Sequence, residues 1–359
     1  MYNYKLLHGR GGIMSRKIKI GIVGATGYAG VELVRLLLSH PYAEIGGLSS
    51  VSFAGQDISE IYPGLRAGLS MELSDGPEAF LSDCDVMFAS LPHGLSQDIA
   101  KKCVNAGVFF VDLGADFRLE SEDQYSEWYG GGFLDKELHR EAVYGLCELF
   151  REEIKGARLV ANPGCYPTSV ALALAPVLRA SLIDTKGIIV DSKSGVTGAG
   201  RGLTLGTHYP ECNEAFSAYK ADGHRHRPEI EQTLSKVAGQ GVQVTFTPHL
   251  LPVNRGILST IYCDTTVDLS TIRRFYEEAY EDEPFVTVLQ DGEYANIKNV
   301  RLSNACHISL HKDSHADKLI VCSAIDNMVK GAAGQAIQNM NILTGISETT
   351  GLPLTAPAF

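Results

Sequence analysis

The chain has 359 residues, 45% of them apolar and 20% charged, with a formal net charge of −11. That length implies two domains, each able to bury a substantial core, and the acidic balance argues against a nucleic-acid partner. No uninterrupted apolar run approaches the roughly 20 residues of a membrane span, so neither membrane nor nucleic acid is an expected partner.

Residues 1–13, MYNYKLLHGRGGI, lack the apolar middle of a secretory signal. Met14 reads as an alternative start, leaving 1–13 as a tail without chemistry. Lys17–Val23 (KIKIGIV) has the β-branched composition of a buried strand, and it runs into GATGYAG and the apolar helix VELVRLLLSH. Ala43–Ser50 supplies a second strand. Val86–Leu91 ends in Pro92-His93-Gly94, and Val108–Leu113 ends in Gly114-Ala115-Asp116. Strands alternating with helices predict an α/β, doubly wound Rossmann-type domain, with ligands gathered at the carboxyl ends of its strands. Beyond about residue 165 the predicted strands are Gly187–Ser192, Val242–Thr247, Ile257–Cys263 and Ala305–Leu310, separated by longer polar stretches. This pattern predicts an α+β domain with a mostly antiparallel sheet. The final AIDNMVKGAAGQAIQNMNIL reads as a helix returning to the first domain. The expected division is therefore 14–164 with 324–359, against 165–323. Eight cysteines without a CxxC pair indicate a reducing cytoplasm, with neither a disulfide framework nor a metal.

The loop Gly24-Ala25-Thr26-Gly27-Tyr28-Ala29-Gly30 is spaced GxxGxxG, with Ile22 where the common dinucleotide fingerprint has its first glycine. A turn without side chains lets backbone N–H groups and a helix N-terminus approach a pyrophosphate. The same glycines would also serve a tight strand–helix turn. At the end of the second strand stand Ser49, Ser50, Val51 and Ser52, where an enzyme using NAD usually carries a carboxylate for the ribose hydroxyl. Hydroxyls accept a 2′-phosphate that a carboxylate would repel, so the expected cofactor is NADP, with Ser49 and Ser52 at the phosphate. A simple polar turn is the other reading of these serines.

Cys165 lies in Asn162-Pro163-Gly164-Cys165-Tyr166-Pro167-Thr168, directly before the apolar run TSVALALAPVL. A thiol at the mouth of a helix meets free N–H groups and the positive end of the dipole, which favour a thiolate. The same donors suit the oxyanion formed when sulfur attacks a carbonyl. In Asp222-Gly223-His224-Arg225-His226-Arg227, two histidines stand two apart and lack a third ligand at metal spacing. The cationic cluster fits an anionic substrate, or a solvated basic segment. Arg118 and Arg201 are isolated arginines beside glycine turns, and His307 and His311 read as structural.

In this order GATGYAG, LPHG, DLGADFRL, YGLCEL, NPGCYPT, SGVTGAGR, HRHRPEI, RGIL and AIDNMVKGAAGQAIQNMN resemble the N-acetyl-γ-glutamyl-phosphate reductases of arginine biosynthesis, over essentially all of residues 15–345. NPGCYPT with HRHRPEI is specific to that family, whereas the glycine loop and the GAAGQA helix are shared with aspartate-semialdehyde dehydrogenases. Cys147 departs from the pattern, since relatives often carry proline there. The resemblance implies an NADPH-dependent, homodimeric or homotetrameric reductase of a small acyl phosphate, working through a thioester on Cys165. It further implies that His224 transfers the proton, oriented by Glu229. Arg118, Arg201 and His226 become candidates for the substrate's phosphate or carboxylate. Pro92, Gly198 and Asn327 join the glycine loop at the cofactor, with Asn327 toward the nicotinamide; Asp326-Asn327 reads equally as a helix cap. Two other readings remain open: reduction of aspartyl or carrier-linked aminoadipyl phosphate, and a non-catalytic NADP sensor.

Overall fold

The computed structural model describes residues 16–359; the expected tail at 1–13 and the alternative start at Met14 lie outside them. The chain divides into two compact units. The first comprises residues up to Asn162 with Ala333–Leu352, and the second comprises Pro163–Ala332 with Pro353–Phe359.

In the first unit six strands form one sheet: β1 (Ile18–Val23), β2 (Ala43–Ser49), β3 (Val86–Ala89), β4 (Phe109–Asp112), β5 (Val143–Tyr144) and β6 (Leu159–Ala161). Their order is β2-β1-β3-β4-β6-β5, and every pairing is parallel. Five of the six β1 residues are buried, as expected of a parallel strand covered on both faces. The expected doubly wound domain is thus present, and the turns after β1, β3 and β4 lie at its carboxyl edge. The helix Gly334–Leu343 returns to this unit with all ten residues buried.

The second unit holds β7 (Ile188–Gly195), β8 (Ser217–Ala218), β9 (Val244–Leu251), β10 (Ile257–Asp264), β11 (Val286–Val288), β12 (Cys306–Asp313) and β13 (Lys318–Ile325). Their order is β11-β12-β13-β10-β7-β9-β8. Four of the six pairings are antiparallel, and β7/β9 and β11/β12 are parallel. Burial alternates along β7, β10 and β13, so one face of the sheet points into the core. The helix Cys165–Arg179 covers that face with thirteen buried residues, and Arg227–Ala238 and Leu269–Tyr280 pack beside it.

The division differs from the expected one at three stretches, the first being residues 163–164, which fall in the second unit. Residues 324–332 belong to the second unit, because β13 is a central strand between β12 and β10 and runs on to Ile325. Residues 353–359 belong there too, where Asn304 N–H donates to the Pro353 carbonyl at 2.8 Å. The helix expected from Ala324 begins later. Asp326 Oδ1 accepts from the N–H groups of Met328 and Val329 at 2.8 and 3.0 Å, a π-helical turn spans Val329–Ala333, and regular helix starts at Gly334. Asp326 is the cap, as the helix-cap reading allowed.

Candidate active site

In the first unit the glycine loop joins β1 to the helix Tyr28–Leu37, whose N-cap is Gly27 and carries no side-chain cap. The three glycines are not equivalent. Gly24 has φ +78°, and a Cβ there would lie 2.3 Å from the Ser90 carbonyl oxygen. At Gly30 a Cβ would stand 2.2 Å from the Gly24 carbonyl oxygen. Both are imposed by the fold. Around Gly27 the nearest atom to an added Cβ is 3.5 Å away, so packing leaves space that a phosphate resting on the helix N-terminus would use. Thr26 Oγ1 and Ser50 Oγ are 2.7 Å apart, and Tyr62 donates its hydroxyl to the Thr26 carbonyl at 2.7 Å, which fixes the loop from its far side. Tyr28 is exposed and Ala29 partly so. Ser49 is 1% exposed, and its carbonyl receives the Gly24 and Ala25 N–H groups at 3.0 Å, while Ser52 is exposed on the short turn that follows β2.

Two buried carboxylates shape the next strand ends. Asp116 accepts from Gly94 N–H (2.5 Å), Ser96 N–H (2.9 Å) and the Tyr125 hydroxyl (2.8 Å), and so holds the loop that carries exposed Pro92. Asp112 accepts from Ser96 Oγ and Gly114 N–H; burial first, and then the nearby Asp116 charge, push its carboxyl up to about 6. Arg118 is 8% exposed. Its Nε donates to the Asn162 carbonyl at 2.8 Å and its Nη2 to the Leu113 carbonyl at 2.7 Å.

In the second unit Cys165 is the first residue of the helix Cys165–Arg179, with Gly164 as an N-cap that offers no side chain. Gly164 N–H donates to Oε1 of fully buried Glu229 at 2.8 Å. Through this oxygen Glu229, expected to orient His224, holds the backbone one residue before Cys165. Nδ1 of His224 accepts from the His226 backbone N–H at 3.1 Å, which leaves its ring proton on Nε2. Tyr166, Tyr219 and Phe246 set their rings edge-on to the His224 imidazole at 5.4–5.7 Å, and His226 lies 5.0 Å from it. Burial first, then the charges of Lys220 and Arg225, lower the His224 pKa to about 4, so the ring is neutral at physiological pH. The Tyr166 and Tyr219 hydroxyls are 3.0 Å apart, and burial pushes Tyr219 up to about 12, so it stays protonated.

Asn327 is 2% exposed; its Oδ1 accepts Gly256 N–H at 2.7 Å and its Nδ2 donates to Thr197 Oγ1 at 3.0 Å. These bonds tie down the Val196–Ala199 turn, where a Cβ on Gly198 would come within 3.6 Å of that same amide. Arg201, just beyond the turn, is half-buried, as is His226, whereas Arg225 is exposed. His307 and His311 both lie on β12. Among the described residues no group of three or more His, Cys, Asp or Glu could hold a metal ion, and no helix is long and apolar enough to cross a membrane.

Residues 19–157 match the family described as semialdehyde dehydrogenase, NAD binding domain, and residues 165–327 match semialdehyde dehydrogenase, dimerisation domain. N-acetyl-γ-glutamyl-phosphate reductase of Clostridium beijerinckii is 58% identical over 344 residues, covering 95% of this chain and 100% of that protein. The protein of the same name from Brachyspira hyodysenteriae is 55% identical over 352 residues, with the same coverage. The chain belongs to the N-acetyl-γ-glutamyl-phosphate reductase family. The fold is shared with aspartate semialdehyde dehydrogenase II of Vibrio cholerae, with a TM-score of 0.71 at 18% identity, covering 92% of this chain and 99% of that one.

Membership makes the chain an oxidoreductase with a nicotinamide dinucleotide domain and a dimerisation-type domain. Sequence reasoning missed Tyr219, Thr197 and Asp116. Tyr219 stands five residues before His224, a spacing without a periodic signal, and Asp116 sits inside DLGADFRL, where it reads as an ordinary turn residue.

Two outcomes are expected. Gly24→Ala should destabilise the fold by at least about 2 kcal/mol. Gly27→Ala should change stability by less than about 0.5 kcal/mol while weakening dinucleotide binding at least about tenfold; denaturant melts with cofactor titration check both. For His224, a folded pKa near 4 against 6.5 unfolded means that its stabilisation is present above pH 6.5 and lost as pH falls toward 4. His224→Asn should therefore flatten the drop in Tm between those pH values; an unchanged slope would show that the imidazole is not buried neutral.

Proposed function

We propose that the protein reduces N-acetyl-γ-glutamyl phosphate to N-acetylglutamate 5-semialdehyde and phosphate, the third step of arginine biosynthesis, using NADPH and a thioester on Cys165. The observation that carries this reading is the thiol at the first position of a buried helix, in the unit where a neutral His224 keeps its proton on Nε2. Full-length relatives that bear the reductase name support the substrate.

The Cys165 thiolate attacks the acyl carbon, and the C–O bond breaks with its electrons on the departing phosphate. The positive end of the helix Cys165–Arg179 faces the oxyanion; in its first turn Pro167 has no N–H, Thr168 N–H donates to the Gly164 carbonyl and Gly164 N–H to Glu229. Bound NADPH supplies a hydride to the thioester carbonyl carbon. His224, neutral with its proton on Nε2, donates a hydrogen bond to the resulting oxyanion, whose electrons re-form the C=O bond as the C–S bond breaks and release aldehyde and thiolate. Half-buried Arg201 and His226 take the anionic groups of the substrate. Arg118 is a weaker candidate, because its guanidinium already serves two backbone carbonyls. Ser52, exposed at the end of β2, faces the 2′-phosphate, and buried Ser49 acts through its carbonyl on the glycine loop. Asn327 shapes the turn around Gly198 on the nicotinamide side. The enzyme works as a cytoplasmic homo-oligomer, consistent with its dimerisation-type domain.

Iodoacetamide at neutral pH should label Cys165 faster than the other seven cysteines, and Cys165→Ser should abolish turnover while still binding cofactor. Retained activity in that variant would end the thioester mechanism. NADPH should bind more tightly than NADH, and Ser52→Asp should narrow the gap by about tenfold; equal wild-type affinities would remove the serine turn as the selector. With phosphate and NADP, the reverse reaction should oxidise N-acetylglutamate semialdehyde and barely use aspartate semialdehyde. A site matched to a neutral acetamide leaves polar partners unpaired against an ammonium, at about 1–3 kcal/mol each. Comparable rates with both aldehydes would favour the aspartyl phosphate reading.

A further inference from the structure

Residues 354–358 are irregular chain tethered at both ends within the second unit. Asn304 N–H donates to the Pro353 carbonyl at 2.8 Å, and Arg301 Nη2 donates to the main-chain oxygen of Phe359. Between the tethers this strap encloses, together with Lys298, Asn299 and His307, a cavity of about 250 Å³. The lining is chemically one-sided. No Asp or Glu stands among the described residues that form it, in a chain that has 42 of them. The Lys298 ammonium has no ion-pair partner among the described residues. The side chains of Asn299 and Thr355 and the ring nitrogens of His307 have no hydrogen-bond partner there either. The N–H groups of Leu354, Thr355, Ala356 and Ala358 are likewise unpaired. Burial lowers the His307 pKa against the opposing charge of Glu293, so the ring is neutral at physiological pH and retains an N–H to donate.

An ammonium ringed by amide, hydroxyl, imidazole and backbone donors is matched by a ligand that brings negative charge and several acceptor lone pairs at once. The volume lies below the roughly 300 Å³ at which sites for drug-sized ligands begin, so the ligand is small. We propose that this cavity is a binding site for a small oxyanion, a carboxylate or a phosphate, held by Lys298, Asn299, His307 and the backbone of residues 354–358. It uses none of the residues assigned to the dinucleotide or the acyl phosphate, and so it does not rest on the reading of Cys165. Bound there, the anion gives the unpaired N–H groups an acceptor and ties the strap to β12 through His307, which reads from the sequence as structural.

The unpaired amides are also the readout. Hydrogen exchange of residues 354–358 is followed by mass spectrometry on the full chain, with phosphate, acetate or chloride at equal ionic strength. Wild type, Lys298→Gln and Asn299→Asp are compared; both positions are exposed, so neither change disturbs the core. Phosphate or acetate should slow exchange in the wild type at least about fivefold relative to chloride. Lys298→Gln, which removes the ammonium, should retain less than about twofold of that slowing. Asn299→Asp, which adds a repelling carboxylate, should show none. Larger slowing by phosphate identifies the ligand as a phosphate, and larger slowing by acetate identifies it as a carboxylate. Equal exchange in all three salts, or the wild-type response retained in either variant, overturns the proposal. The measurement needs no turnover, so failure of the thioester reading would leave its outcome unchanged.

Discussion

The hydrogen bond from Gly164 N–H to the buried Glu229 carboxyl group is the constraint on which the start of the helix Cys165–Arg179 depends. A carboxyl group without solvent exposure is costly unless its oxygens are satisfied, and this one is served twice. It accepts a backbone donor, and it lies in the first turn of the helix Arg227–Ala238, where the dipole favours negative charge. The bond joins the starts of two helices. It occupies the N–H of the N-cap residue, while the Gly164 carbonyl receives Thr168 N–H at 3.0 Å, so both backbone groups of Gly164 are fixed.

The same economy governs His224. Aromatic rings and burial hold it neutral, and the His226 backbone fixes its tautomer, so its protonation state does not depend on a partnering carboxylate. In the first unit the carboxylates have a different task. Asp116 gathers two backbone N–H groups and a phenol around the loop of Pro92, and Asp112 lies close enough that burial and its neighbour's charge raise its pKa. Acidic side chains there organise strand-end turns.

The fold class, β1 with five of its six residues buried, the glycine turn before the first helix and the helix start at Cys165 were legible because each rests on a local signal: β-branched runs, glycine spacing, or a turn that flows into an apolar helix. β13 was missed because its KLIVCSAI flows without a break into a segment rich in helix formers, and only the cap formed by Asp326 separates them. Side-chain destinations were less legible still. Glu229 stands five residues after His224, and nothing in that spacing shows that its Oε1 also reaches back across 65 residues to Gly164. Arg118 beside glycine turns reads as an anion ligand, and only the tertiary structure shows that two of its N–H groups also hold backbone carbonyls.

Polar residues in the terminal helix carry the point further. Gln335, Gln338, Asn339 and Asn341 are each fully buried in a ten-residue helix, a composition that on its own would place the helix at the surface. Each is buried because a specific backbone or side-chain group elsewhere in the first unit needs a partner: the Gly145 carbonyl, Glu148, Asn162, and the carbonyls of Glu348 and Thr350. Amides can donate and accept at once and carry no charge, so they satisfy such groups without the desolvation cost of an ion. The polar content of this helix is therefore the complement of the irregular segments around it. Among those segments is Asn162, the last residue of the first unit before the chain continues to Cys165, and that explains why a helix so poor in exposed surface carries so many side-chain amides.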